Sequence, residues 1–401
     1  MNFRRVLARG VTSTLSATLA FACSAPDARD SPDRVNVSDS AGVRIATYPA
    51  EDFADTISPV PSLTIGQEGD LDYEFFRISS VVALSSGNVV VANGGTHELR
   101  FYGSDGRYLR TIGRRGGGPA EFGFLSTLWV RPGDTLAVLD PNRRRIVYFD
   151  SAGTFVRGES FAGDFTAQSP ESTGPCIFPG LTGLLGDGTH VTRGWGCMQF
   201  EGRDGRRPTT QSIGIVRPDR EDSAGTFTVA WVWERASATD PRESYSMIPF
   251  LGVMAQTVGE DRIYISEGTD FEIKIFDSYG HHVGLLREDT VPPRITQDAR
   301  DAYLAAQSAA GRPHPRDVPF PERFGSYSQL MVSHEGDLWA RRSARPEDEF
   351  QYWVVFPTGD QGIRRYVMPD ITVKSVRAGR VYGYQSDTLG IQTVVVLDGG
   401  H

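Results

Sequence analysis

The stretch TIGRRGGGPAEF, residues 111–122, repeats a pattern already present at residues 64–75, which also begins with TIG and ends with EF. Gly69 corresponds to Gly116 and Ser79 to Ser126, so the two copies are offset by 47 residues (116 − 69). A fixed period of roughly 20 to 50 residues is typical of folds that build one small unit several times. The sequence therefore predicts a repeat protein.

Each copy leads into four short runs of β-branched and aromatic residues, which are separated by Gly, Asn and Asp. Runs of this length are too short for helices, and the turn residues between them predict an antiparallel four-stranded meander. The runs of the first unit are 81–84, 88–92, 98–102 and 108–112, and those of the second are 128–130, 135–139, 145–149 and 154–156.

Four further units follow in more diverged form. A third unit with longer loops covers 181–231, a fourth aligns over 261–280, a fifth covers 329–367, and a sixth offers three strands, 371–376, 380–384 and 392–397. The missing strand is available at the other end of the chain, since Leu63 to Gly66 aligns with the outer strand Arg110 to Gly113. Pairing it with the last unit leaves no open sheet edge at the ring joint.

The predicted fold is therefore all-β: a six-bladed β-propeller closed by an N-terminal strand that pairs with the C-terminal blade. The alternative is a seven-bladed ring in which Gly42 to Ala46 starts an extra blade. A short helix is predicted between blades 4 and 5, with Thr296 as its N-cap and with Gly311 and Pro313 as its stop. This helix is interpreted either as a lid or as a filler between blades.

The sequence predicts three segments: a signal peptide, a tether and the propeller. Residues 1–22 combine a basic start with an apolar run and small residues, as in a signal peptide. Cys23 follows, and the sequence LAFAC resembles a bacterial lipobox, so Cys23 is the expected lipidation site and 23–40 a flexible, Ser- and Pro-rich tether. The propeller is expected over 41–401. The protein is predicted to be an exported periplasmic or outer-membrane lipoprotein, with a secreted soluble protein as the alternative.

The formal net charge of −9 argues against nucleic acid or anionic lipid as the main partner, because both favour a basic surface. Any membrane attachment is expected through the lipid alone, and we expect a monomer. In an oxidising compartment, Cys176 and Cys197 are predicted to form a disulfide, with two independent buried thiols as the alternative.

The repeat resembles the NHL type on three motifs: the glycine-rich lead from Gly113 to Phe122, the strand from Gly133 to Asp140, and the pair from Ile146 to Gly153. The opening DSAGVRI (39–45), the GGGPAEF run (116–122) and the GDLW string from Gly336 resemble exported six-bladed β-propeller proteins of bacteria, which are largely uncharacterised. The resemblance implies a fold and an exported location. It implies no activity, because propellers include binding proteins, lyases and hydrolases.

In a propeller blade, the loops after the second and fourth strands emerge on one face, so nearly all the extra sequence is expected on a single rim. This rim carries the candidate ligand-binding residues, which are Arg114, Arg115, Arg143, Arg144, Arg145 and Trp195. Together with Arg203, Arg206 and Arg207, these arginines could form a cationic patch suited to an anionic small molecule or a glycan. The alternatives are a solvated turn with unrelated charges and, for Gly116 to Gly118, simple turn geometry.

The sequence contains no His-Glu-x-x-His or Cys-His cluster and no Gly-x-Ser-x-Gly elbow, so no metal, cofactor or catalytic residue is predicted. The first hypothesis is a non-enzymatic, exported, lipid-anchored binding protein that recognises a small anionic ligand, a glycan or a protein partner. The second is a metal-dependent hydrolase or lyase of the lactonase type, acting at the channel mouth. Binding of single-stranded RNA is disfavoured by the export signal and the acidic charge.

Overall fold

The computed structural model describes residues 35–161, 176–177, 179–236, 245–312, 314–315, 317–359 and 362–399. The predicted signal peptide, Cys23 and most of the predicted tether lie outside these residues. The described residues belong to one compact unit. The helix in this part of the chain is too short to cross a bilayer.

Six antiparallel sheets form the six blades of a β-propeller, as predicted. From the centre outward, blade 1 consists of Ile78–Ala83, Val89–Asn93, Glu98–Tyr102 and Tyr108–Ile112, and blade 2 of Leu128–Arg131, Thr135–Asp140, Arg145–Phe149 and Phe155–Ser160. Blade 3 consists of Gly180–Leu184, His190–Arg193, Gly205–Val216, Glu221–Glu234 and an added edge strand, Tyr245–Met247.

Blade 4 consists of Ala255–Val258, Arg262–Ser266, Glu272–Asp277 and His282–Glu288, and blade 5 of Tyr327–Val332, Leu338–Arg342, Phe350–Phe356 and Arg364–Pro369. Blade 6 consists of Thr372–Arg377, Arg380–Ser386, Gln392–Asp398 and the N-terminal strand Leu63–Ile65. The outer position of Leu63–Ile65 confirms the predicted closure, since it pairs antiparallel with Val394 to Val396.

The chain before Leu63 adds strands to two other blades instead of starting a seventh. Asn36–Ser40 and Val43–Tyr48 form a hairpin, and its second strand runs parallel to the outer strand of blade 4. Asp55–Thr56 then pairs in parallel with the outer strand of blade 5. Five residues that the sequence assigned to the tether are therefore part of a sheet, because their backbone groups find partners on the hairpin.

In the described part of the chain, an apolar cluster fills each gap between neighbouring blades. The alternation of side chains along each strand presents one set to the blade before and the other to the blade after. Phe75 and Phe122, the aromatic ends of the two repeated stretches, are buried in two such gaps. The phenylalanine of the Glu-Phe pair therefore recurs because each copy of the stretch places one ring between two blades.

The predicted helix forms as Gln297–Ala309, and the Thr296 hydroxyl caps it by accepting from the Ala299 amide at 3.1 Å. Ala299 is its buried residue, and Tyr303 packs edge-on against Phe250 at 5.1 Å between ring centroids. Most of the other helix side chains are exposed. The helix therefore lies on the surface of the insertion between blades 4 and 5, with a small apolar contact below it.

Blade 3 differs from its prediction in the length of its outer hairpin. The third unit was expected to have longer loops, but its third strand already begins at Gly205, and buried and exposed residues alternate along it. Gly196–Cys197 forms a separate short ladder with Cys176–Ile177, and Cys176 and Cys197 are joined by a disulfide in the structure.

Candidate functional site

The connections after the second and fourth strands lie on one face of the ring, which we call the loop face. It carries the segments 66–77, 113–127 and 289–326 between blades. The opposite face, which we call the turn face, carries short turns such as 84–88 and 103–107. Long connections on one face and short turns on the other agree with the prediction that the loops after the second and fourth strands share a face.

On the loop face, the glycine-rich stretch that leads into blade 2 is closed by the carboxylate of its own Glu121. Glu121 accepts from the amides of Gly117 (2.9 Å) and Gly118 (2.8 Å), and Arg114 donates to it at 2.8 Å. These contacts, first the Gly118 amide and then Arg114, lower the pKa of Glu121. In the earlier copy, Glu74 accepts from the Gly69 amide in the same way. The amides that could have bound a phosphate therefore already hold a carboxylate.

The other predicted arginines have different roles. Arg145 donates to the Gly118 carbonyl oxygen at 3.0 Å and lies 3.7 Å from buried Asp140. The guanidinium of Arg143 lies against Gly117, where an added Cβ would approach Nη1 to 2.8 Å. Arg144 ends a short 3-10 turn in the left-handed region, at φ 51°. The structure thus brings Arg114, Arg143 and Arg145 together as supports of one loop.

Trp195 and the third-blade arginines belong to another part of the loop face. Trp195 is half-buried beside the disulfide-linked segment. Arg207 pairs with buried Glu234 at 2.7 Å, and Arg203 pairs with Glu201 at 2.6 Å. Since these arginines are matched by carboxylates, they add little net positive field to the predicted patch.

A cleft of about 520 Å³ opens on the loop face between blades 4 and 5. Three segments form its walls: residues 50–53 of the N-terminal segment, the two ends of the long insertion 289–326, and residues 342–345 after the second strand of blade 5. Its volume lies in the range of small-molecule sites. We call it the 4/5 cleft.

Buried Glu288 organises the floor of the 4/5 cleft. Its Oε2 lies 2.7 Å from Arg342 and 3.3 Å from Arg365, and the hydroxyl of fully buried Tyr327 donates to its Oε1. Arg365 also binds Glu51 at 2.7 Å, which ties the N-terminal segment to the cluster. Burial, and then the adjacent Glu288 carboxylate, raise the pKa of Tyr327, so its hydroxyl remains a donor.

Two polar atoms of the floor have no hydrogen-bond partner among the described residues, namely Arg342 Nε and Ser326 Oγ. Both side chains line the cleft, and Ser326 is fully buried. The Arg342 guanidinium also stacks 3.5 Å from the ring centroid of Phe271. A buried donor without a partner is costly, so such atoms are candidates for contact with a ligand.

This cluster was not among the predicted site residues, although a signal for it exists in the repeat. Aligning Gly87 with Gly336 places Arg342 where blade 1 has Asn93, the last residue of the second strand. Blade 2 has Asp140 at the same strand end. In those blades the side chain caps loop amides, as when Asn93 accepts from the Phe76 amide at 2.9 Å. Arg342, a cation where the other two blades have a capping Asn or Asp, was therefore the signal in the sequence for this cluster.

A second cavity, of about 510 Å³, lies at the central channel on the turn face. The ends of all six innermost strands contribute to it, and its charged residues are Arg131, Glu260, Glu335, Lys374 and Arg377, with His334 beside them. We call it the channel mouth. In the described residues, no three His, Cys, Asp or Glu side chains are grouped as metal ligands would be.

Comparison with known proteins agrees with this architecture. Residues 70–171 match the model of the domain family DUF5128, described as a 6-bladed beta-propeller. No curated protein sequence matches the chain. The match and the six observed blades confirm the expected resemblance in fold.

Three solved structures with similar folds are distant in sequence. The "Putative exported protein" of Bacteroides fragilis is 12% identical, with a TM-score of 0.46 over 89% of this chain and 100% of that chain. A member of the duf4221 family from Bacteroides vulgatus is 11% identical, with a TM-score of 0.41 over 86% and 99%. Virginiamycin B lyase from Staphylococcus aureus is 10% identical, with a TM-score of 0.38 over 83% and 98%.

Proposed function

We propose that this chain is an exported binding protein that holds a small, uncharged polyhydroxylated ligand of the saccharide class in the 4/5 cleft. The observation that carries the proposal is the floor of the cleft, where Arg342 Nε and Ser326 Oγ are buried without partners beside the Glu288 cluster. A ligand hydroxyl can accept from Arg342 and exchange a hydrogen bond with Ser326.

The charges around the cleft favour a neutral ligand over an ion. Its lining includes three carboxylates, those of Glu51, Asp52 and Glu288, and two guanidiniums, those of Arg342 and Arg345. Arg365, which binds two of these carboxylates from behind, completes the balance. A balanced site offers both donors and acceptors without a net field, which suits hydroxyl groups better than a phosphate or a carboxylate.

Aromatic rings supply the apolar part of the site. Phe53 and Tyr352 line the cleft and pack edge to face at 5.2 Å. Phe271 lies at its inner wall below Arg342. Rings of this kind bury the C–H faces of a sugar while the polar groups bind its hydroxyls.

Export of the protein is part of the same proposal. The predicted signal peptide precedes Cys23, and the disulfide between Cys176 and Cys197 is of the kind that persists in oxidising compartments. For the lipid anchor, Cys23→Ser is expected to move the protein from the membrane fraction to the soluble fraction. Unchanged membrane association of that variant would refute anchoring at Cys23.

Saturation-transfer difference NMR against a panel of neutral mono- and disaccharides tests the cleft. We expect at least one saccharide to bind the mature protein and Phe53→Ala to reduce its affinity roughly tenfold, since a stacking ring contributes on the order of 1 kcal/mol. Phe124→Ala is the matched control, because Phe124 is a 45% exposed ring on the loop face outside the cleft. It should leave binding unchanged.

Three results would contradict the proposal. The first is the absence of binding by any neutral saccharide of the panel. The second is an equal loss of affinity in Phe53→Ala and Phe124→Ala, which would place the ligand elsewhere on the loop face. The third is a preference for sulfated or phosphorylated sugars over their neutral counterparts, because the balanced charges of the cleft predict the opposite order.

A further inference from the structure

We propose that the channel mouth on the turn face is a second binding site, which takes a small organic carboxylate with an apolar body. This site is separate from the 4/5 cleft, since the two cavities share no lining residue. Two cations, Arg131 and Lys374, line this cavity and belong to no ion pair of the described residues.

Arg131 is held at the channel mouth by carbonyl oxygens alone. Its guanidinium donates to the carbonyl oxygens of Leu185 at 2.6 Å and Gly186 at 2.7 Å, which connects blades 2 and 3. Among the ion pairs of the described residues, none includes Arg131. A neutral carbonyl orients the side chain but leaves its positive charge uncompensated.

Lys374 is the second such cation. It lies on the innermost strand of blade 6, and its Nζ is 5.6 Å from the ring centroid of Tyr384. No ion pair of the described part of the chain includes Lys374 either. Arg377, three residues further on, differs because Asp134 neutralises it at 3.1 Å.

Burial lowers the pKa of Lys374, which shows that the surroundings of its ammonium group compensate poorly for lost water. An anion in the cavity would restore that compensation. The chain carries a formal net charge of −9, so two unpaired cations at one opening contrast with the rest of the protein.

The other lining residues limit the kind of anion. Glu260 and Glu335, from the turns of blades 4 and 5, line the same cavity and would repel a polyanion. Trp129, Met331 and Val332 offer apolar surface in the same cavity. A single carboxylate directed at Arg131 and Lys374, with its apolar body against these side chains, satisfies both conditions.

The chain provides a sharp probe because it has two lysines, Lys274 and Lys374. Reductive methylation with a 13C label keeps their charge and gives each a separate NMR signal beside that of the terminal amine. Lys274 is the internal control, since its ammonium group already pairs with Glu267 at 2.5 Å. Lys374→Arg assigns the signals by removing one of them.

Titration with benzoate is expected to shift the Lys374 signal saturably and to leave the Lys274 signal unchanged. Benzyl alcohol, which lacks the charge, and inorganic phosphate, which lacks the apolar body, should produce no saturable shift. By calorimetry on unmethylated protein, Lys374→Met should weaken benzoate binding roughly tenfold or more, because a charge-assisted contact is lost. Lys274→Met should not change the affinity.

Equal shifts of both lysine signals, or an equal effect of benzyl alcohol, would overturn the proposal. Saturable binding of phosphate at Lys374 would also overturn it, since the site would then select for charge alone. These results leave the saccharide proposal untouched, because the latter is tested by the Phe53 and Phe124 variants. The wild-type titration decides the matter even if a Lys374 variant fails to fold.

Discussion

Blades 1 and 2 follow the 47-residue repeat closely, whereas blades 4 and 5 depart from it through an insertion, added N-terminal strands and a buried ionic cluster. In blade 2, Asp140 ends the second strand and accepts from the amides of Gly123 (2.9 Å) and Phe124 (3.0 Å). In blade 5, Arg342 ends the second strand and binds Glu288 across the gap between blades. The last residue of the second strand therefore fixes a loop in blades 1 and 2, whereas in blade 5 it lines the 4/5 cleft.

The difference teaches how a ring of similar blades can acquire a site. Where the strand end carries Asn or Asp, its side chain fixes amides of the loop from the preceding blade. Where it carries Arg342, the strand end binds the side chain of Glu288, and the 4/5 cleft lies beside this pair. The added N-terminal segment then covers the cluster by binding Arg365 through Glu51.

The largest effect expected from this comparison is that of Glu288→Gln. The change leaves Arg342 buried without a carboxylate and Arg365 with Glu51 as its remaining partner, and breaking a buried pair in this way costs about 3–5 kcal/mol. Glu98→Gln in blade 1 is the matched control, because Glu98 pairs with Arg100 at 2.9 Å but is a quarter exposed. Buried Arg100 keeps its hydrogen bond to the Glu74 carbonyl oxygen, so the cost should be smaller, about 1–2 kcal/mol.

Urea unfolding of both variants, followed by tryptophan fluorescence, measures these two free energies. The comparison fails if Glu288→Gln and Glu98→Gln lower the free energy of unfolding equally. It also fails if the Glu288 variant is as stable as the wild type, because the cluster would then contribute no more than a surface pair.

A smaller effect is expected for the capping positions of blades 1 and 2. Asp140→Ala removes the acceptor of two amides and the nearest carboxylate of Arg145, so we expect a loss of about 2 kcal/mol. Asn93→Ala removes the acceptor of the Phe76 amide and a donor to Thr96, and should cost about 1 kcal/mol. The same unfolding measurement compares them.

Hydrogen exchange adds a site-specific control to this pair. The amides of Gly123 and Phe124 should exchange faster in Asp140→Ala, while the Gly117 amide, which Glu121 holds, should be unaffected. If all three amides change together, Asp140 supports the whole loop and is not a local cap.

The sequence was sufficient for the fold because the repeat is written in residues that the architecture requires. Phe75 and Phe122 recur since each fills a gap between blades, and the TIG motif recurs because Leu63–Ile65 and Tyr108–Ile112 are both outer strands. The hairpin of Asn36–Ser40 and Val43–Tyr48 could not be placed in the same way. Its parallel pairing with blade 4 depends on an exposed edge that appears only once that blade exists.

The sites were less accessible from the sequence. Arginines in a glycine-rich loop suggested anion binding, but the pattern does not show that Glu121 occupies the loop amides. The cluster around Glu288 joins residues separated by up to 314 positions, as in the pair of Glu51 and Arg365. Such pairs leave no local spacing to recognise. The cations of the turn-face cavity lie on innermost strands, whereas the long loops that stand out in the sequence lie on the opposite face.

The smallest effect concerns the carboxylate of the repeated stretch. The Gly118 amide and then Arg114 lower the pKa of Glu121, so its 13C carboxyl signal should titrate below 4.5. Since the folded pKa is depressed, the stabilisation of the closed loop is complete above 4.5 and is lost as the pH falls through the lower folded value. Arg114→Gln should raise the pKa only in part, because the glycine amides remain. A full return to 4.5 would assign the effect to Arg114 alone, and the amides of Gly117 and Gly118 would then be open to an anion, as the sequence first suggested.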